Sequence, residues 1–165
     1  MIYWLIIRTL LSGVLFLYLQ VLFMPHLAIG GIIPNLFLGW LVYQVWRKPV
    51  NMIVPIIFLL GLCYDITMPE TLGLQTTLLV LLAVGIDVFH RPLEKDSYIT
   101  MGITVGLVSL AYSVLIFPVY GFLAGFSGKL ILSMLGLALY NMVVSAAVTL
   151  ILVLVSNLKL DFRHG

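Results

Sequence analysis

The stretch GLCYDITMPETLGLQTT holds the densest set of side chains that could do chemistry. Asp65 and Glu70 bracket a turn that contains Pro69. A carboxyl pair can act as acid and base when its two environments separate the pKa values. That work also needs a nucleophile or a specific pocket, and the neighbouring sequence points to neither. A second reading makes Asp65 an acceptor for a neighbouring turn or helix start. Thr71 is then a candidate cap for the following helix, with Gly61 and Gly73 allowing close backbone approach. A third gives the turn a conformational or partner-contact role. The second reading is the one the residue types favour.

Other candidates are sparser. Asp87 can pair with Arg91 at i,i+4. Asp87 and His90 offer only two metal ligands, and His26 and His164 fall on opposite sides of the threading described below. Cys63 is the only cysteine, so it makes no intrachain disulfide and no metal cluster by itself. The glycine-rich PVYGFLAGFSGK lacks the spacing of a phosphate-binding loop and reads as an outer loop or partly immersed turn. The sequence therefore calls for no catalytic set, metal or cofactor.

The elements that carry these residues are apolar. Hydrophobic residues make up 63% of the 165 and charged residues 8%, against about 25% charged in a soluble domain. Mean hydropathy is +1.23. A net charge of +2, dispersed along the chain, argues against nucleic acid as a partner. The expected fold is a single all-α transmembrane domain over 1–165.

Six apolar segments are expected, over about 3–24, 32–46, 50–64, 72–89, 98–118 and 130–156. The first is too long for a signal-peptide core and lacks a clear cleavage site, so it reads as a retained span. The second and third are short, about 22 Å each at 1.5 Å per residue, and the sixth reaches about 40 Å. A re-entrant hairpin over the second and third would place Arg47 and Lys48 inside the membrane, which is costly. With six spans, Arg8, Arg47, Lys48, Arg91, Lys95, Lys159 and Arg163 share one side and only Lys129 takes the other. Basic loops face the cytoplasm, so both termini are expected there.

Small and polar residues mark expected packing faces. These are Asn35, Gly39 and Tyr43 on the second segment, and Gly102, Gly106, Ser109 and Ser113 on the fifth. The sixth carries Ala138, Asn141, Ser145, Thr149 and Ser156. Arg8, Ser12 and Gln20 share a side of the first, where Arg8 can snorkel. Trp4, Trp46, Tyr98 and Tyr120 sit near segment ends as interfacial aromatics do. Trp40 is the exception and suits internal packing.

Residues 34–74 resemble the MreD family of bacterial rod shape-determining proteins. The resemblance is carried by Pro34 in PNLFLGWLVY, by Phe58, Gly61, Leu62 and Asp65 in FLLGLCYD, and by Leu72 and Gly73 in PETLGLQTTLL. Many relatives have glycine just before the phenylalanine, where this chain has Ile57. The resemblance implies a non-enzymatic, multi-pass component of the bacterial inner (cytoplasmic) membrane. Such proteins pair with the bitopic MreC. They work with the MreB filament, RodA and a penicillin-binding transpeptidase to organise lateral peptidoglycan synthesis and maintain rod shape. Pro34, Phe58, Gly61, Asp65, Glu70, Leu72, Gly73, Asp87 and Arg91 are the candidate structural or partner-contact residues. The preferred partner surfaces are the 65–73 turn and the loop around 89–95.

MreD-like architecture is also similar to the S components of energy-coupling-factor transporters, six-helix proteins that capture vitamins. That alternative predicts an outward pocket lined by groups such as Asn35, Tyr43, Tyr120 or Asn141. A membrane enzyme acting on lipid-linked wall precursors would need a cluster of charged residues near one membrane face, which the chain lacks.

Overall fold

The computed structural model describes residues 2–90 and 98–161. Among them there are six α-helices and no strand. These are α1 (Ile2–Tyr18), α2 (Leu36–Arg47), α3 (Val50–Ile66), α4 (Leu74–His90), α5 (Tyr98–Ala124) and α6 (Gly128–Asp161). α1 continues through a π-turn at Leu19–Phe23 and a 3-10 turn at Met24–Leu27. Tyr3–Leu27, Tyr98–Leu123 and Gly128–Ser156 are long and apolar enough to cross a membrane, and Val50–Ile66 and Leu74–Phe89 are shorter apolar helices. The outer faces are apolar, with Leu11, Leu15, Ile99, Ile103, Leu132 and Leu139 all exposed. A water-facing monomer rarely shows so much contiguous apolar surface.

α2 is the short one, and it lies in the middle. Its 12 residues rise only about 18 Å. Ten of them are buried, among them Leu38, Trp40, Leu41 and Val42. It packs against α6, α4, α5 and α1. Trp40 meets Phe37 edge to face with ring centroids 6.1 Å apart, so its expected internal place is met. Trp46 is buried too, not interfacial, because the end of α2 is enclosed by its neighbours.

The second apolar segment is expected from 32; the helix begins at Leu36. Gly30 and Gly31 turn the chain with φ of 59° and 81°. Ile29 and Ile32 exchange backbone hydrogen bonds at 3.1 and 3.0 Å across that turn. Pro34 then disfavours helical backbone at Ile33, and Asn35 supplies the cap.

α5 departs in the other direction. It runs through Pro118 to Ala124, so PVYGFLA is helix, not loop. Tyr120 and Phe122 extend the apolar run, and only Gly125, with φ of 85°, leaves helical space. The Gly125 N–H closes on the Gly121 carbonyl at 2.9 Å, a glycine C-terminal stop. Ser127 then caps α6, accepting from the Leu130 N–H at 3.3 Å. α6 has 34 residues, longer than the 130–156 segment expected.

The α2–α6 contact depends on Gly39. A Cβ there would stand 2.6 Å from the Ser145 carbonyl oxygen and 2.9 Å from the Val148 Cβ. Thr149 Oγ1 reaches the Gly39 carbonyl at 3.2 Å. The expected small-residue faces of these two helices do meet. Gly102 differs: a Cβ there meets nothing within 4 Å, so it is no close-packing residue. Gly39→Ala therefore costs about 1–3 kcal/mol by overpacking. Gly102→Ala stabilises by about 0.5–1 kcal/mol through helix propensity. Thermal midpoints of the two purified variants should move in opposite directions; equal shifts would contradict the packing.

Candidate functional site

The start of α2 lies among apolar helices, where its free N–H groups need partners. Each of the first has one. The Asn35 N–H donates to Asn141 Oδ1 on α6 at 2.7 Å, and the Leu36 N–H to Gln20 Oε1 at 2.7 Å. The Phe37 N–H donates to the Asn35 side-chain oxygen at 2.9 Å, and the Leu38 N–H to the Asn35 carbonyl at 3.4 Å. Gln20 also donates from Nε2 to the Pro34 carbonyl at 3.0 Å and to the Tyr64 hydroxyl at 3.2 Å. One amide thus holds both sides of the α2 entry. Gln20 sits in the π-turn, whose wider spacing re-aims a side chain within a helix.

Asp65 does the same for α4 from the end of α3. It is 1% exposed. Its Oδ1 accepts from the Gln75 N–H at 2.9 Å and its Oδ2 from the Thr76 N–H at 2.9 Å, with the Thr76 hydroxyl on Oδ2 as well. A carboxylate at a helix start satisfies free donors and complements the helix dipole. This is the helix-start role expected of Asp65; the cap is Asp65, not Thr71. Gly61 lies one turn earlier, and a Cβ there would come 2.7 Å from the Thr76 Cα. The α3–α4 approach that brings Asp65 within reach thus depends on Gly61. Gly73, with φ of 87°, makes the turn into α4.

The two caps are joined. Gln75, whose N–H serves Asp65, accepts at its Oε1 from the Tyr112 hydroxyl on α5 at 3.1 Å. The Asn35 side chain stands beside that same Tyr112 hydroxyl. Gln20, Asn35, Asp65, Gln75, Tyr112 and Asn141 therefore tie all six helices together at one end. Between them lies a cavity of about 260 Å³, walled by Gln20, Asn35, Tyr64, Gln75, Tyr112 and Tyr120 with the Gly30–Gly31 turn.

A second polar cluster joins α1 and α2 at the other end of α2. Trp40 Nε1 donates to Ser12 Oγ at 3.2 Å and Gln44 Nε2 to the same oxygen at 3.4 Å. Lys48 Nζ reaches Thr9 Oγ1 and Gln44 Oε1. Burial, aided by the Arg8 charge, brings the Lys48 ammonium down to about 8.

The remaining candidates divide by exposure. Pro34 is buried beside the α2 cap. Phe58 is 48% exposed and Leu72 69%, so these two motif residues face outward. Glu70 lies in a short 3-10 turn, Pro69–Thr71. Asp87 is half-buried on α4. Arg91 and most of the 89–95 loop lie outside the described residues, and with them the Asp87–Arg91 pair. Tyr43 is half-buried away from the cavity, while Asn35 and Tyr120 line it and Asn141 stands behind Asn35. Among the described residues no three His, Cys, Asp or Glu side chains gather as metal ligands.

Sequence reasoning passed over Tyr64, Gln75 and Tyr112 and gave Gln20 no partner. A signal was present: the three glutamines, Gln20, Gln44 and Gln75, each sit within or beside an apolar run, and all three are buried. Uncharged amides in such places need specific partners. No family model, curated protein or solved structure matches the chain.

Proposed function

We propose that this chain is a non-enzymatic component of a bacterial cell-elongation complex, of the MreD kind, set in the inner membrane with both termini cytoplasmic. Its work is to hold a bitopic MreC-like partner, and through it the MreB filament, RodA and a penicillin-binding transpeptidase, in register for lateral peptidoglycan synthesis. The observation that carries this reading is how the resembling residues divide. Gly61, Asp65 and Gly73 fix the α3–α4 junction from inside. Phe58 and Leu72 present apolar side chains outward from the same junction. A rigid internal frame with an apolar display suits a membrane scaffold that binds other helices.

The vitamin-capturing S component is the second reading, and the cavity favours it, since Asn35 and Tyr120 are on its wall. Phe58→Ala with Leu72→Ala separates the two. On the scaffold reading, the double variant keeps its thermal midpoint, recovers about fivefold less MreC-like partner from membranes, as the loss of one interface anchor implies, and rounds rod-shaped cells. Full partner recovery with normal shape, at equal membrane levels, would exclude this surface from the scaffold's work.

A further inference from the structure

We infer that the Lys48 ammonium and the Arg8 guanidinium, where the first turns of α1 meet the end of α2, form a site for the phosphate of an anionic phospholipid. The inference needs only that these helices lie in a membrane, so it holds whether or not the scaffold reading does. Two residues build the site from within. Thr9 on α1 gives its own proton to the Leu5 carbonyl at 2.8 Å, leaving its oxygen to accept from Lys48. Gln44 on α2 donates to Ser12 Oγ at 3.4 Å and offers its own oxygen to the same ammonium. Both Thr9 and Gln44 are buried, so Lys48 is held from the protein side by fixed partners. They take two of its three protons, and among the described residues the third has no acceptor.

Both acceptors are neutral, and the charge that acts on Lys48 is of its own sign. Arg8 precedes Thr9 on α1 and is exposed. Burial and then the Arg8 charge bring Lys48 down to about 8, so at pH 7 the ammonium still stands as a cation beside a second one. Among the described residues no carboxylate pairs with either. Fastening α1 to α2 does not call for two like charges, since Trp40 and Gln44 already hold Ser12 through uncharged hydrogen bonds. An anion beside both cations offsets their repulsion and accepts the remaining Lys48 proton. The outward face of α1 points to the source of that anion. Trp4, Arg8, Leu11 and Leu15 follow one another at helical spacing on one stripe, and all four are exposed. Aromatic ring, cation and aliphatic side chains in that order match the headgroup region, the phosphate layer and the acyl chains of a lipid. A free phosphate would meet the cations alone, whereas a phospholipid covers the whole stripe. The lipid is anionic because a zwitterionic headgroup would bring a third cation to the pair.

The test titrates dansyl-labelled phosphatidylglycerol into the full-length protein in mild detergent and reads energy transfer from the tryptophans. All three, Trp4, Trp40 and Trp46, belong to α1 and α2. The labelled lipid should bind saturably. Unlabelled phosphatidylglycerol should displace it about tenfold better than phosphatidylcholine of the same chains, and millimolar inorganic phosphate should not displace it. Arg8→Gln should weaken binding about fivefold, the worth of one cation at a membrane surface. Arg8 is exposed, so the thermal midpoint should not fall, and Arg8→Lys should keep most of the affinity. Arg47→Gln removes an equal charge from the same end of α2 and should change the affinity less than twofold. Equal displacement by the two lipids, or full affinity in Arg8→Gln, would overturn the site. An Arg47→Gln loss as large as that of Arg8→Gln would replace it with diffuse attraction between a basic end and acidic lipid. Displacement by inorganic phosphate would make it a site for free anions and overturn the lipid assignment.

Discussion

Asp65→Ala lowers the thermal midpoint of the full-length protein in mild detergent by about 6–12 °C. The figure follows from a loss of about 3 kcal/mol, at roughly 2–4 °C per kcal/mol for a chain of this size. The carboxylate is buried, so its desolvation opposes folding. Three donors converge on it from the start of α4, and the helix dipole adds to their effect. Alanine removes these interactions and leaves the Gln75 and Thr76 N–H groups unpartnered. Asp65→Asn should lose about half as much, since one oxygen remains to accept. Two variants within a degree or so of the parent would show that α4 needs no cap from α3.

Gln20→Leu is the second large effect. The substitution adds apolar surface, yet it strips partners from the Leu36 N–H, the Pro34 carbonyl and the Tyr64 hydroxyl. At about 1–3 kcal/mol for each buried group left unpaired, the loss exceeds what one leucine gains, about 1.5–3 kcal/mol. With central values on both sides the net cost is about 4 kcal/mol, and it is local. Hydrogen exchange at the Leu36 amide should accelerate far more than exchange in the middle of α3. Uniform acceleration would mean that Gln20 supports the bundle generally and does not hold the α2 entry. Gln20→Glu keeps an acceptor for Leu36 but offers the Pro34 carbonyl no donor, so it rescues only in part.

These two residues also mark what a sequence can disclose. Asp65 was legible because its partners are close along the chain, ten and eleven residues on, across a turn signalled by Pro69 and Gly73. Gln20 was not, because its partners at 34, 36 and 64 depend on how three helices dock. The long apolar runs were readable from composition, and the ends of α3 and α4 came within about two residues, the usual error of such boundaries. The burial of α2 was not readable, since a helix enclosed by protein and one facing lipid are both apolar. Its late start was missed because Ile32 and Ile33 continue the hydrophobic pattern while Gly30, Gly31 and Pro34 set the backbone. α5 was cut short at Pro118 for the converse reason. Proline removes one donor and strains one turn, but the apolar residues beyond it still favoured helix, and Gly125 made the stop. At the candidate site, Asn35 and Tyr120 were named from their polarity, whereas Tyr112 is one tyrosine among eight and acquires its role only through Gln75.

Asp65 and Gln20 hold a frame; the proposed role depends on what that frame carries. Purification of the tagged, full-length chain from its own membranes in gentle detergent, with the co-purifying proteins identified, tests that role most directly. The account predicts stable recovery of an MreC-like bitopic protein. Recovery of coupling ATPases in its place would contradict it and make the chain a transporter subunit.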